Sequence, residues 1–256
     1  MTTENQSVLI VGAGECGARA AFALRENGHA GRIVLIGTEA LHPYERPPLS
    51  KAALAADAMP THVAPRERFE EHGIDLLTGV SATAIDPAAK TADLSSGATI
   101  SFDVALIATG ASPRRLPFIP KDSKRIVTLR TFQDALAIRR SLGEGRHIAI
   151  IGGGFIGLEL AASARKAGTK VTLVEGLPRV LSRGVPAAIA ERIASRHIAE
   201  GVDLHCGTSI AGIDEMADKA VIVLADGERI SADLVIVGIG AAPNVALAEA
   251  ARLAIE

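Results

Sequence analysis

The sequence predicts an α/β protein made of two doubly wound parallel-sheet domains, and three observations carry that expectation. First, the run Ile148-Ala-Ile-Ile151 meets glycines at 152, 154 and 157; a helix-forming stretch follows, and Val171-Thr-Leu-Val-Glu175 ends a β-branched run on a carboxylate. Second, the same arrangement occurs upstream as Val8-Leu-Ile-Val11, glycines 12, 14 and 17, a helical stretch from Ala18 to Asn27, and Arg32-Ile-Val-Leu-Ile-Gly-Thr-Glu39. Third, 48% of the 256 residues are apolar, Trp is absent and Tyr44 is the only tyrosine, which suits Ala/Val/Ile-rich strands buried on both faces.

Each Gly-x-Gly-x-x-Gly stands between a strand and a helix, the context of a dinucleotide fingerprint. Glycine is needed there because the chain turns tightly and its backbone must approach a pyrophosphate at the positive end of the helix. Such a glycine pattern alone is weak; the strand, the helix and the terminal carboxylate make it specific. Both units therefore read as Rossmann-like.

Beyond Glu39 the segment His42-Pro-Tyr-Glu-Arg-Pro-Pro-Leu-Ser-Lys51 leaves the carboxyl end of the second strand, where open α/β sheets bind ligands. Its consecutive prolines suit neither a helix interior nor a central strand, so a rigid, extended loop is expected, placed where function often sits. Gly73 to Asp86 then parallels Gly201 to Asp214, and Leu94 to Gly110 parallels Leu224 to Gly240. Each pair reads as a further strand, a meander with a Ser-Gly or Asp-Gly turn, and a buried strand ending on glycine. The copies are offset by 140 residues at Gly12/Gly152 but by 128 at Gly73/Gly201, so the first carries extra residues in the interval that holds the proline loop. Ala111 to Pro120 is the proline-rich crossover, Thr128 to about Leu142 starts the second domain with a helix, and Val245 to Glu256 reads as one short helix. The expected domains are 1–115, 116–242, and a return segment 243–256.

A net charge of −2 speaks against binding nucleic acid or an anionic membrane, and no apolar run reaches spanning length. The polar start Met1 to Ser7 carries no signal-peptide pattern, so a soluble cytoplasmic protein is expected. Cys16 and Cys206 stand alone, which excludes a local dithiol centre, and the seven histidines are scattered singly, so no metal site is expected. Two dinucleotide sites in one chain suggest a relay in which one cofactor hands a hydride to another, while the protein holds the rings in contact and shuts out water. A plainer alternative is that one copy is degenerate, but both glycine triads, Gly110 and Gly240 are intact. Glu175 stands where an acid accepts hydrogen bonds from the adenine-ribose hydroxyls; its charge would repel a 2′-phosphate, and Arg179 and Arg183 lie well beyond it, so NADH is expected.

With these residues in view, the chain resembles the two-dinucleotide-binding-domain flavoprotein reductases, of glutathione-reductase-like architecture. The block Pro43-Tyr-Glu-Arg-Pro-Pro-Leu-Ser-Lys51 is similar to that of FAD-dependent, NADH-oxidising ferredoxin reductases, which serve aromatic-ring dioxygenases (phenylpropionate and biphenyl types) and bacterial cytochrome P450 systems. The resemblance covers the whole chain, and Gly152 to Ala161 is its other specific part. It implies FAD on the first domain and NADH on the second. Gly12, Gly14 and Gly17 would face the FAD pyrophosphate with the Cys16 amide, Thr38 and Glu39 the adenine ribose, and the Ala82 backbone the adenine. Thr109 and Gly110 match an Ala-Thr-Gly motif, and Arg130 an FAD-contacting arginine. Arg46 joins the FAD contacts, and Gly152, Gly154, Ile156, Gly157, Glu175 and Gly240 the NADH contacts. Lys51 matches a lysine beside the flavin and Glu159 a carboxylate near the nicotinamide; a lysine there would stabilise charge on the reduced ring and the carboxylate would orient it. Solvated positions are the plainer alternative for both.

Glu15 departs from the family by placing an acid inside the phosphate loop. The resemblance also implies a second flavin motif ending in Gly-Asp and a C-terminal interface domain, neither of which is present within these 256 residues. The expected activity is electron transfer from NADH through FAD to a [2Fe-2S] ferredoxin that feeds an oxygenase. The alternatives are an NADH-dependent rubredoxin reductase, a peroxide-reducing flavoenzyme, and a nucleotide-binding protein without turnover. A reactive cysteine at the flavin would favour the peroxidase, and neither Cys16 nor Cys206 is placed for it.

Overall fold

The computed structural model describes residues 5–120 and 122–255; Met1 to Glu4 of the polar start lie outside them. The chain divides into two compact units, Met1–Arg46 with Pro60–Ser112 and Pro243–Glu256, and Pro47–Met59 with Pro113–Ala242.

In the first unit, strand β1 (Val8–Val11) leads through the glycine loop into helix α1 (Glu15–Glu26) and strand β2 (Ile33–Gly37). Helix α2 (Arg66–Glu71) and strand β3 (Ile74–Thr78) follow, then an antiparallel meander of β4 (Ala82–Asp86), β5 (Thr91–Leu94) and β6 (Thr99–Ser101), and strand β7 (Val104–Ile107). The parallel sheet runs β3-β2-β1-β7, with Val8 opposite both Ile33 and Val104. All four residues of β1 are buried, as a strand covered on both faces requires. The Phe22 and Phe69 rings, with centroids 4.7 Å apart, seal one face, while Ile85, Ala92, Leu94 and Phe102 of the meander region cover the other. Strand β8 (Ala111–Pro113) is the outgoing crossover.

The second unit repeats the plan. Its elements are strand β9 (Ile126–Val127), helix α3 (Phe132–Arg139), strand β10 (His147–Ile151), helix α4 (Phe155–Lys166), strand β11 (Lys170–Glu175), helix α5 (Ala187–Ala199) and strand β12 (Val202–Cys206). The meander β13 (Ile210–Glu215), β14 (Ala220–Leu224) and β15 (Arg229–Ala232) then precedes strand β16 (Leu234–Val237). The sheet order is β12-β11-β10-β16-β9. Strand β17 (Ala241–Pro243) leads back to the short helix α6 (Ala246–Ala250). The duplication extends to irregularities: β4 carries a bulge between Ala82 and Ala84, and β13 carries one between Ile210 and Gly212.

Three expectations change. The proline segment is not extended: Pro47–Ser50 and Ala52–Leu54 form two short 3-10 turns. Proline's fixed φ suits the first turn of a helix, where its missing N–H would have no partner anyway. Contiguity assigns this segment to the first domain, whereas residues 47–59 pack with the second. The reason lies in its contacts, with Arg139 donating to the Ala55 carbonyl at 2.8 Å and Ser163 of α4 to that of Ser50 at 2.8 Å. Helix α3 is also shorter than expected. It starts after Thr131, whose hydroxyl accepts from the Asp134 N–H while Asp134 caps the Thr131 N–H, a closed capping box.

Candidate functional site

The three glycines of each loop do separate jobs. Gly12 and Gly152 have φ of +119° and +110°, and a Cβ on either would lie 2.2 Å from the Ala108 oxygen or 2.4 Å from the Gly238 oxygen. Only glycine lets strand and loop approach so closely. On Gly17 or Gly157 a Cβ would meet the carbonyl oxygen of Gly12 or Gly152 at 2.0 Å, so these positions seat the helix on the turn. Gly14 and Gly154 differ: nothing lies within 4 Å of a Cβ there. They cap α1 and α4 without any side-chain acceptor, so first-turn N–H donors are left facing open space. Free donors at a helix N-terminus, with no Cβ in the way, fit an anionic pyrophosphate in both units.

Other expected site residues lie on the first turns of α1 and α4 and in the first meander. Cys16 is exposed on the first turn of α1. Glu15 is turned along the helix and paired with Arg19 at 2.9 Å, which takes its charge out of the loop. Ile156 stands half-exposed on the first turn of α4. Ala82 lies at the β4 bulge, where the interrupted ladder frees backbone groups.

The two strand-end acids are held by different means. Glu175 accepts from the Gly153 N–H at 2.6 Å and the Leu177 N–H at 2.8 Å, so it ties the glycine loop to the turn after β11. Arg179 donates to the Val185 carbonyl at 3.0 Å, and the Ser182 hydroxyl donates to the Arg179 carbonyl at 2.6 Å. That guanidinium is engaged with its own loop. In the first unit Glu39 accepts from the Tyr44 hydroxyl at 2.5 Å and from Arg46 at 2.6 Å, and Arg46 also donates to the Tyr44 oxygen at 2.9 Å. Thr38, beside it, is exposed.

The strand-end glycines are placed differently. The Thr109 hydroxyl donates to the Asn244 carbonyl and the Asn244 amide to that of Thr109, both at 2.8 Å, while the Gly110 carbonyl accepts from the Asn244 N–H. These contacts fasten the return segment. Gly240 is exposed with φ +104°. The Arg130 N–H donates to Asp134, at the approach to α3. A mostly apolar cleft of about 600 Å³ between β7, the first meander and α6 includes Thr109 and Gly110 but none of the loop glycines.

Within the second unit, Lys51 and Glu159 meet: the ammonium lies 2.8 Å from Glu159 Oε2. Their side chains are 51% and 32% exposed, so the pair contributes little stability and its worth is positional. Tyr44 and Ser50, which the sequence reading did not single out, lie at these acids. Their signal, a phenol and a hydroxyl inside the specific proline block, was present but could not be assigned a partner.

The thiol of Cys206 is pushed up, by burial first and then by the charge of Glu175, which makes it a poor nucleophile. Among the described residues no three His, Cys, Asp or Glu side chains could hold a metal, and no helix is long and apolar enough to cross a membrane.

Comparison with known proteins places these features in a lineage. The chain is 39% identical to the ferredoxin–NAD(+) reductase component of the p-cumate 2,3-dioxygenase system of Pseudomonas putida, over 96% of this chain and 60% of that protein. It is 38% identical to a rubredoxin–NAD(+) reductase of Pseudomonas putida, over 96% and 65% of the two chains. Among solved structures, the covalent putidaredoxin reductase–putidaredoxin complex superposes with a TM-score of 0.94 at 38% identity, over 98% of this chain and 62% of that one. The chain thus spans less than two thirds of the length of these relatives. The pyridine nucleotide-disulphide oxidoreductase family matches residues 6–256, and with two glycine cradles and the strand-end acids in place, the chain belongs to that family.

Proposed function

We propose that the chain is the nucleotide-handling part of an FAD-dependent NADH:ferredoxin reductase, working in the cytoplasm with a [2Fe-2S] ferredoxin that supplies an oxygenase. The observation that carries this reading is the pair of complete cradles, each with an open second glycine and an acid at the end of its second strand. One cradle suits FAD and the other NADH. Bound FAD would accept one hydride from NADH and release its two electrons singly, as a one-electron acceptor requires.

The chain's own groups do the rest. In the second unit the N–H donors at the start of α4 hold the pyrophosphate, and Gly154 lets it approach. Glu175 accepts from the adenine ribose hydroxyls through lone pairs that its two backbone partners leave free. In the first unit Gly12, Gly14 and Gly17 cradle FAD, with Glu39 at its ribose and Arg46 beside that acid. Lys51 would supply positive charge to a reduced flavin, and Glu159 holds that ammonium at 2.8 Å.

Preference for NADH follows from the same geometry. The fixed charge of Glu175 repels a 2′-phosphate, and Arg179 is engaged by its own loop. Glu175→Ala should therefore weaken NADH binding about tenfold and bring the NADH and NADPH constants together. Equal binding of the two nucleotides by the parent chain would defeat this part of the reading. For the whole, FAD is added to the purified chain and NADH supplied without oxygen. A yellow protein whose visible absorbance bleaches, and which then reduces ferredoxin, is the expected result. A protein that binds NADH but passes nothing to ferricyanide with FAD present is a nucleotide-binding protein instead. A rubredoxin acceptor is the second reading, favoured by the likeness to a rubredoxin reductase, and exchanging the acceptor in the same assay decides it.

A further inference from the structure

We infer that Ser50 is a positioning residue for the Lys51–Glu159 pair, with its hydroxyl setting where the Glu159 carboxylate, and through it the Lys51 ammonium, is held. Its bearing on hydride transfer rests on the proposed reductase reading; the geometry itself does not.

Ser50 is one of few buried polar side chains among the described residues, at 4% exposure. Burying a hydroxyl is costly unless it is hydrogen-bonded, and here its partner is specific. The hydroxyl donates to Glu159 Oε2 at 2.5 Å, the same oxygen that Lys51 Nζ approaches to 2.8 Å. One carboxylate oxygen thus receives a fixed neutral donor and a mobile charged one.

The fixed donor is itself anchored. Ser163, one turn beyond Glu159 on α4, donates its hydroxyl to the Ser50 carbonyl at 2.8 Å. The Lys51 N–H donates to the Pro48 carbonyl at 3.0 Å, and Nζ reaches the Pro47 carbonyl at 3.2 Å. The 3-10 turn therefore grips α4 through Ser50 from both ends, while Lys51, half exposed on a four-carbon stem, has only weak restraints of its own. Without the Ser50 hydroxyl the Glu159 carboxylate is free to swing into solvent, and Lys51 loses the fixed position of its ion-pair partner. Ser50 touches neither ring in this scheme and acts through its neighbours.

The test compares the full chain with Ser50→Ala and Ser163→Ala. The first removes the donor to Glu159. The second frees the same turn from α4 but leaves that donor in place. Modification of Lys51 by trinitrobenzenesulfonate, followed by peptide mass spectrometry, needs neither cofactor nor turnover. Ser50→Ala should speed Lys51 modification by about fivefold, the order expected for losing one ordinary net hydrogen bond, and Ser163→Ala should change it by less than about twofold. A rate in Ser50→Ala that is unchanged or slower overturns the inference, and so does an equal rise in both variants, which would mean general loosening of the turn. If Ser50→Ala does not fold, Ser50→Cys, of similar size with a weaker donor, is read in its place.

With FAD added, Ser50→Ala should also lower kcat for NADH oxidation roughly tenfold while KM for NADH stays within about twofold, the split expected when orientation is lost and binding is not. A parent chain that binds FAD yet oxidises no NADH sinks the reductase reading alone, since the labelling arm still decides Ser50.

Discussion

At residue scale the glycines carry the sharpest distinctions. Gly152→Ala places a methyl 2.4 Å from the Gly238 oxygen in a backbone conformation that L-residues avoid. It should cost about 2–4 kcal/mol of stability, read by urea denaturation. Gly154→Ala adds its methyl to open space, so its thermal midpoint should stay within about 2 °C of the parent while NADH affinity falls roughly tenfold. Equal losses of stability in the two variants would show that both glycines are structural. The sequence marks all six loop glycines alike; the turn-formers are set apart by atoms more than 80 residues away, the Ala108 and Gly238 oxygens, and the helix seats by the Gly12 and Gly152 carbonyls five residues before them. Glu39 and Glu175 also look equivalent in sequence, yet a phenol and a guanidinium hold one and two backbone amides the other.

At the scale of elements, local chemistry sets boundaries. The Thr131–Asp134 capping box starts α3, and Thr131→Ala should cost about 1 kcal/mol, seen as a lower urea midpoint with unchanged slope. At the start of β10, His147 is half-buried with Nε2 at 2.9 Å from the Thr172 hydroxyl oxygen. Burial, and then the charge of Lys170, hold its pKa below the ordinary value of 6.5. The unfolded chain therefore takes up a proton there before the folded one does. Stability is unaffected above about pH 6.5 and falls as the pH drops below it. Thermal scans at about pH 7.5 and pH 5.5 should show a smaller loss in His147→Gln than in the parent, and equal losses would exclude His147 as the source. The strands, helices and meander turns of both copies were legible because each buries a face with its own period. The proline segment was not, because proline excludes only some conformations and the 3-10 turns form where side chains of α3 and α4 receive them.

For the molecule as a whole, duplication is the governing fact, and it predicts two separable binding events. Each cofactor alone should raise the thermal midpoint, by the equivalent of about 2.7 kcal/mol at a ligand concentration a hundred times its dissociation constant. Gly14→Glu should abolish the FAD response and leave that of NADH, with Gly154→Glu doing the reverse. Loss of both responses in either variant would mean that the two units do not bind independently.

By itself the sequence determined the two-copy plan, the glycine cradles, the strand-end acids and the place of the extra segment, because each is written in local periodicity or in spacing repeated between the copies. It also marked Lys51 and Glu159 through a specific motif, although they are 108 positions apart. That residues 47–59 pack with the second unit, and that Ser50 and Lys51 share one oxygen of Glu159, emerges in the folded chain alone. Those contacts arise when a short turn closes on a helix distant in sequence, and no local pattern of residues encodes which side chain a buried hydroxyl will meet.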